Sequence, residues 1–328
     1  VKRLVFIAIA VIAALGIAGG GVFIWGYGQF VQPGPLVAER AVVIPKGSGL
    51  DDISKILLDA GIVAEALVFR LGVRLRKDAG SLRAGEFAFP AHVSPMEAAE
   101  ILKAGKTVVR KVTFPEGLTS FEIVDILNRT EGLTGDVALI PGDGALLPET
   151  YHFSYGDSRE GLIERMSLKM QEALETLWVE RDEDLPLKRM DDAVVLASIV
   201  EKETGLHAER PLVAAIFINR LRKGMRLQSD PTVVYALTEG KGELDRALTR
   251  QDWKIESPYN TYRINGLPPG PIANPGLASL QAVFHPAKTK DLYFVADGTG
   301  GHVFAETLKE HNRNVAQWRR IKRLRNGK

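Results

Sequence analysis

Residues 191–204, DDAVVLASIVEKET, followed by AAIFINRLRKGMRLQSDPT at 214–232, place an acidic pair at the end of an apolar helical run beside a dense polar and basic stretch. Val195, Ile199 and Glu203 fall on one stripe of such a helix, whereas Glu201 is turned about 200° away from Glu203. One carboxyl therefore continues the packed face. Burial beside Ile199 disfavours its anion and raises its pKa, as proton transfer near neutrality requires. A structural carboxylate tied into a hydrogen-bond network fits the same position, and the pattern alone leaves both readings open. Glu201 reads as a solvated or salt-bridged partner of Lys202 or Arg210.

The next helix spans Arg210 to Arg222, with Phe217, Ile218 and Leu221 packing and Asn219, Arg220 and Arg222 left for polar groups. Gln228, Ser229 and Asp230 before Pro231 form a polar turn that either presents groups to a sugar or starts a helix. SPYNTYRINGLPPGPIAN, 257–274, holds Tyr259, Asn260, Tyr262, Asn265 and Asn274 among prolines and glycines. Such a loop keeps aromatic faces and amides in fixed relation, as carbohydrate recognition needs, although inert connectors share its composition.

Upstream, AVVIPKGSGLDDISKILLDAGIV from Ala41 reads as strand, Pro-Lys-Gly turn and helix stopped by Gly61. A helix over Ala64–Leu75, a strand at Gly85–Pro90 and a helix capped by Ser94 follow. Strand, Pro-X-Gly turn and helix recur at Val112–Leu127, VTFPEGLTSFEIVDIL, which reads as a duplication. Arg159–Val179 is an amphipathic helix by its spacing of Leu162, Ile163, Met166, Met170 and Leu174. The region from Asp230 to Asn274 reads as turns, followed by a helix near Leu277–Phe284 and strands at Leu292–Asp297 and His302–Phe304. The fold class is α+β, without the repeated parallel units of a doubly wound sheet.

Leu4 to Trp25 carries no charge and is long enough to span a bilayer, and Lys2 and Arg3 favour an inside N-terminus. The aromatic cluster Phe23, Trp25 and Tyr27 suits a retained anchor better than a cleaved signal peptide. The expected organisation is a cytoplasmic tip and transmembrane helix over 1–27, a linker over 28–37, a small membrane-proximal module over 38–110 and a mixed helix/strand domain over 111–328.

The 42 basic and 40 acidic side chains nearly balance, so no nucleic-acid partner is indicated. With no cysteine there is no disulfide framework or thiolate site. The six histidines show no metal spacing, no phosphate-binding loop is present, and no metal or other cofactor is implied. The basic end WRRIKRLRNGK, 318–328, reads as a solvated helix end or as a contact for anionic lipid or wall polymer.

LASIVEKET, FINRLRKGMRLQSDPTVVYAL, SPYNTYRINGLPPGPIANPG and HPAKTKDLYFVADGTGGHVFAETLKEHN resemble the YceG-like family of endolytic murein transglycosylases. The likeness covers nearly the whole chain, and VIPKGSGLDDISKIL resembles that family's LysM-like region. The resemblance implies that Glu203 is the catalytic acid. It implies substrate-groove positions at Gln228, Ser229, Asp230, Tyr259, Asn260 and Tyr262; Glu149 in LLPETY stands where relatives often have Asp. It further implies non-hydrolytic cleavage within peptidoglycan glycan strands at an inner-membrane surface, penicillin-binding synthases as partners, and 1,6-anhydro ends. A tethered glycan-binding or synthase-docking protein without catalysis, and a hydrolytic muramidase using Glu203 with Asp230, are the alternatives.

Overall fold

The structure is a computed structural model that describes residues 2–326. Val1, the first residue of the expected cytoplasmic tip, and the last two residues of the basic C-terminal run lie outside the described residues. The chain divides into one unit of residues 1–110 with 152–157 and a second of residues 111–151 with 158–328.

The first unit opens with α1 (Lys2–Val31), whose large apolar residues from Leu4 to Trp25 are exposed. Among the described residues it is the one helix long and apolar enough to cross a membrane, which supports membrane association. The helix continues beyond the expected boundary and takes in Gln29–Val31, so the proline-containing connector is shorter than its composition indicated. Phe30 at its end is buried against Gly72, where a Cβ would approach the phenyl ring to 2.3 Å.

Strand β1 (Arg40–Ile44) pairs antiparallel with β2 (Gly85–Phe89), Arg40 opposite Phe89 and Ile44 opposite Gly85. Helices α2 (Leu50–Asp59), α3 (Ala66–Leu75) and α4 (Pro95–Ala104) accompany this pair, and Ile44, Leu57, Phe69, Phe87, Phe89 and Leu102 form its fully buried core. Ser94 caps α4 reciprocally with Glu97, which satisfies two N–H groups that a helix start leaves free.

Strands β3 (Val109–Thr113) and β4 (Thr150–Ser154) form a second two-stranded sheet. After β3 comes α5 (Ser120–Arg129), so the repeated phrase does make strand, turn and helix twice. In both turns the glycine after Pro-X has positive φ, +87° at Gly47 and +80° at Gly117, which explains why the phrase carries glycine there.

The second unit continues through α6 (Arg159–Glu180), α7 (Met190–Glu203), α8 (Arg210–Arg222), α9 (Asp230–Thr238) and α10 (Leu277–Phe284). Strands β5 (Tyr293–Ala296) and β6 (His302–Ala305) form an antiparallel hairpin before α11 (Leu308–Asn326). The reading of 230–274 as turns changes, because α9 occupies Asp230–Thr238; Asp230 is its first residue, the helix start that the Gln228–Asp230 segment also allowed. Helix α7 is enclosed over its middle, where all eight residues from Ala193 to Val200 are buried. A helix apolar on every side belongs inside a core, and α7 lies in the cluster that includes Phe217, Leu280 and Phe284. Ser198 fits there because its Oγ donates to Val195 O at 2.7 Å and accepts from Ile272 N at 3.0 Å.

Candidate active site

Helix α7 stops because Thr204 turns extended, leaving two glutamates in its last turn. Glu201 is not solvated: Oε1 meets Arg210 Nη2 at 2.8 Å, Oε2 accepts Gly276 N at 2.9 Å, and the two side chains of the ion pair are 5% and 4% exposed. Arg210 also contacts Glu116 at 2.8 Å and His207 Nδ1 at 2.8 Å. Of the two partners that spacing allows for Glu201, Arg210 is the one it has, and both glutamate carboxyls turn into protein rather than one leaving it.

Glu203 differs in what surrounds it. It is half-buried and forms no ion pair among the described residues. Loss of solvent is the largest influence on its carboxyl and raises its pKa to about 7, with the negative charge of Asp230 pushing in the same direction. The Ser229 hydroxyl, His302 and Arg220 favour the anion and limit the rise. Ser229 Oγ is itself buried and has no hydrogen-bond partner of normal geometry, so its effect on Glu203 comes from proximity rather than a formed bond.

Two chain segments deliver these neighbours. Gln228 has φ +52°, a strained value for a non-glycine residue, and its exposed side chain ends the α8–α9 connection. Its N–H donates to Thr261 O at 3.2 Å, Ser229 N donates to Thr261 Oγ1 at 2.9 Å, and the Thr232 and Thr261 hydroxyls meet at 2.8 Å. This web binds the Gln228–Asp230 turn to the YNTY loop. Tyr262 OH donates to Asp230 Oδ1 at 2.6 Å and Trp253 Nε1 donates to the same oxygen at 3.0 Å. Burial, and then the bond to Asp230, push the Tyr262 phenol well above its ordinary value.

The structure therefore brings Glu203, Ser229, Asp230 and Tyr262 together, with Gln228 next to them in the same turn. Asn260 instead holds the loop in shape. Its Nδ2 donates to Trp253 O and Ile255 O, and its Oδ1 accepts Tyr262 N, so this fully buried amide has no group free for a sugar. Asn274 is likewise fully buried, bonded to Leu118 O, Ser120 Oγ and Leu146 N. Tyr259 packs on Tyr235 with ring centroids 4.8 Å apart, while Tyr235 OH donates to Asp143. Exposed Glu149 pairs with Lys169 Nζ at 2.6 Å, and no contact joins it to Glu203 among the described residues.

The polar groups expected on α8 are directed at backbone carbonyls, with Arg220 buried, Asn219 partly buried and Arg222 exposed. Asn219 donates to Thr289 O and Asp291 O, and Arg222 donates to Asp184 O. Arg220 is 7% exposed, with Nε donating to Leu292 O at 2.7 Å and Nη1 to Leu227 O at 2.6 Å. No carboxylate lies within ion-pair distance of it among the described residues, and its guanidinium lies 5.5 Å from the Tyr293 ring centroid. A buried cation anchored by carbonyls and without a counter-ion is uncommon. Loss of solvent lowers its pKa, and the Glu203 carboxylate works against that loss.

His302 had no sequence signal beyond a glycine-rich turn. Its backbone N–H donates to Glu209 Oε1 at 2.8 Å and its Nδ1 lies 2.7 Å from Glu209 Oε2. Glu209 also accepts from Thr204 Oγ1, which links the β5–β6 hairpin to the residue directly after Glu203.

A lone, half-buried carboxyl whose pKa is raised to about 7, beside a polar turn in an α+β protein, has the properties a general acid needs. The model of the YceG-like family matches residues 42–317. An endolytic murein transglycosylase of Bacillus subtilis is 31% identical over 90% of this chain and 89% of its own length. One from Streptococcus pneumoniae R6 is 30% identical over 97% of this chain, which spans 64% of that longer protein. A crystal structure of a YceG-like protein from Listeria monocytogenes covers 84% of this chain and 99% of its own, at 31% identity and a TM-score of 0.50. The chain belongs to the YceG-like family.

Proposed function

We propose that this protein is a membrane-anchored endolytic murein transglycosylase in which Glu203 is both general acid and general base. The observation that carries the reading is the Glu203 carboxyl itself, raised to about 7 and without an ion-pair partner among the described residues. Family membership supplies the substrate class.

In the first step the protonated Glu203 donates to the oxygen linking C1 of N-acetylmuramic acid to the next N-acetylglucosamine, and the C1–O bond breaks. The Glu203 carboxylate then accepts the proton of the muramic acid C6 hydroxyl as that oxygen bonds to C1. A 1,6-anhydro end forms, no water is consumed, and Glu203 ends protonated as it began. One group with a pKa near working pH serves both steps. Arg220 favours the carboxylate that exists between them, so its field acts where charge develops. The nucleophile comes from the substrate, so the second carboxylate of a hydrolase is unnecessary. Asp230 is poorly suited to that hydrolytic role because Tyr262 and Trp253 both donate to its Oδ1.

In this reading α1 crosses the cytoplasmic membrane with its N-terminus inside and keeps the site close to strands emerging from penicillin-binding synthases. The β1–α2 portion acts as a LysM-like module that contacts glycan or orients the catalytic unit. The test is mass spectrometry of fragments released from peptidoglycan by the wild-type protein and by Glu203→Gln. Internal 1,6-anhydromuramic ends that disappear in the variant are expected. Reducing ends would assign hydrolysis instead, and binding without products would assign a tethering role.

A further inference from the structure

A cavity of about 450 Å³ borders Asp230 and follows one face of α9, walled by Pro231, Val234, Tyr235 and Leu248, with Lys202 also in its lining. Its volume is in the range of small-ligand clefts. It reaches the proposed site through Asp230, whose charge acts on the Glu203 carboxyl, and Lys202 is the residue before Glu203 in α7.

Most charged groups in this groove are already engaged. Glu122 closes the capping box with Thr119, Arg246 makes paired bonds of 2.6 and 2.9 Å to Asp252, and Asp230 receives Tyr262 and Trp253. Lys202 and Glu243 meet no side-chain partner among the described residues. Exposed Lys202 makes one polar contact there, donating to Gly117 O at 3.2 Å. The reason lies one residue away: Arg210 takes Glu201 and leaves the lysine between the two glutamates without an acid.

We propose that this groove is the subsite for the stem peptide of the muramic acid whose bond is broken, with Lys202 pairing a stem carboxylate. The inference rests on the transglycosylase reading. The stem is covalently attached to the sugar that Glu203 protonates, so it must occupy a surface continuous with that carboxyl. A short peptide with free carboxylates, small apolar side chains and an amine matches a groove with apolar walls, one available lysine and one available glutamate. A charge-assisted contact of this kind sets substrate preference rather than the bond-breaking step.

The full-length chain in detergent is assayed on uncrosslinked glycan strands bearing intact stems and on the same strands stripped by an amidase. The wild type is expected to prefer stem-bearing strands by about tenfold in kcat/KM, mainly through KM. Lys202→Met should collapse that ratio towards one, Lys202→Arg should keep most of it, and Val234→Trp should collapse it by filling the groove. Equal rates of the wild type on both substrates would overturn the subsite. So would a Lys202→Met ratio equal to that of the wild type.

A binding measurement separates this from failure of the transglycosylase reading. Free stem tetrapeptide titrated into the Glu203→Gln protein should bind about tenfold more weakly when Lys202→Met is added. Peptide binding that depends on Lys202, in a protein that cleaves neither strand, would retain the subsite and reject the chemistry. Absence of peptide binding would reject the subsite.

Discussion

Tyr262 donates its phenolic hydrogen to Asp230 Oδ1 at 2.6 Å, fixing a carboxylate beside Glu203 without neutralising it. The negative charge of Asp230 raises the Glu203 pKa. Asp230→Asn removes that charge while keeping the size of the side chain. The alkaline limb of the pH–rate profile, expected near pH 7 for the wild type, should then move to lower pH. Initial rates of anhydro-end formation on either side of that limb check this, and an unmoved limb would remove Asp230 from the electrostatics of the acid.

Arg220 has the opposite sign. Losing its positive charge removes a force that favours the Glu203 anion, so Arg220→Met should shift the same limb upward and lower kcat. Arg220→Lys should leave the limb closer to that of the wild type. A purely structural part in holding Leu227 O and Leu292 O would lower stability in both variants and leave the limb in place.

Glu203 also ties stability to pH. Its carboxyl holds the proton more tightly in the folded chain, at about 7, than at its usual value of 4.5, so the folded state binds more protons across that window. Stability contributed by the protonated form is present below that window and declines as pH rises through it. Glu203→Gln removes cleavage and should be more resistant to urea than the wild type at about pH 8, with the difference shrinking at about pH 5. Urea midpoints at the two pH values test the sign.

The Arg210–Glu201 pair predicts a different outcome. Both side chains are almost fully buried, so Arg210→Met leaves Glu201 facing protein with only the Gly276 N–H as partner. Removing one member of a buried pair costs about 3 kcal/mol, because the remaining charge loses its compensation. Denaturant unfolding should report that loss, and the double variant Arg210→Met with Glu201→Gln should recover part of it.

The local elements were legible in the residues themselves. Arg210–Arg222, Leu277–Phe284 and the helix capped by Ser94 follow from apolar periodicity and start signals that act over three or four residues. Helical spacing set Glu203 in line with Ile199 but did not separate it from Glu201 by burial, since the Glu201 side chain is only 5% exposed; what distinguishes the two is that Arg210 pairs with Glu201 while Glu203 forms no ion pair among the described residues. The start of α9 was less clear, because Gln228–Asp230 has the composition of a turn and the helix that follows is only nine residues long.

The sequence by itself determined the apolar span of α1, the repeated strand, turn and helix, and the placement of two glutamates in the last turn of an apolar helix. Each depends on the order of residues along a short stretch. Tertiary structure decided which polar groups remain available. Asn260 and Asn274 are consumed by hydrogen bonds within the protein, Arg220 is buried without a counter-ion among the described residues, and Lys202 lacks an acid because Arg210 has taken Glu201. His302 comes into play from a hairpin far along the chain from Glu203. Hydrogen-bond partners and loss of solvent depend on segments distant in sequence, so residue type and spacing do not specify them.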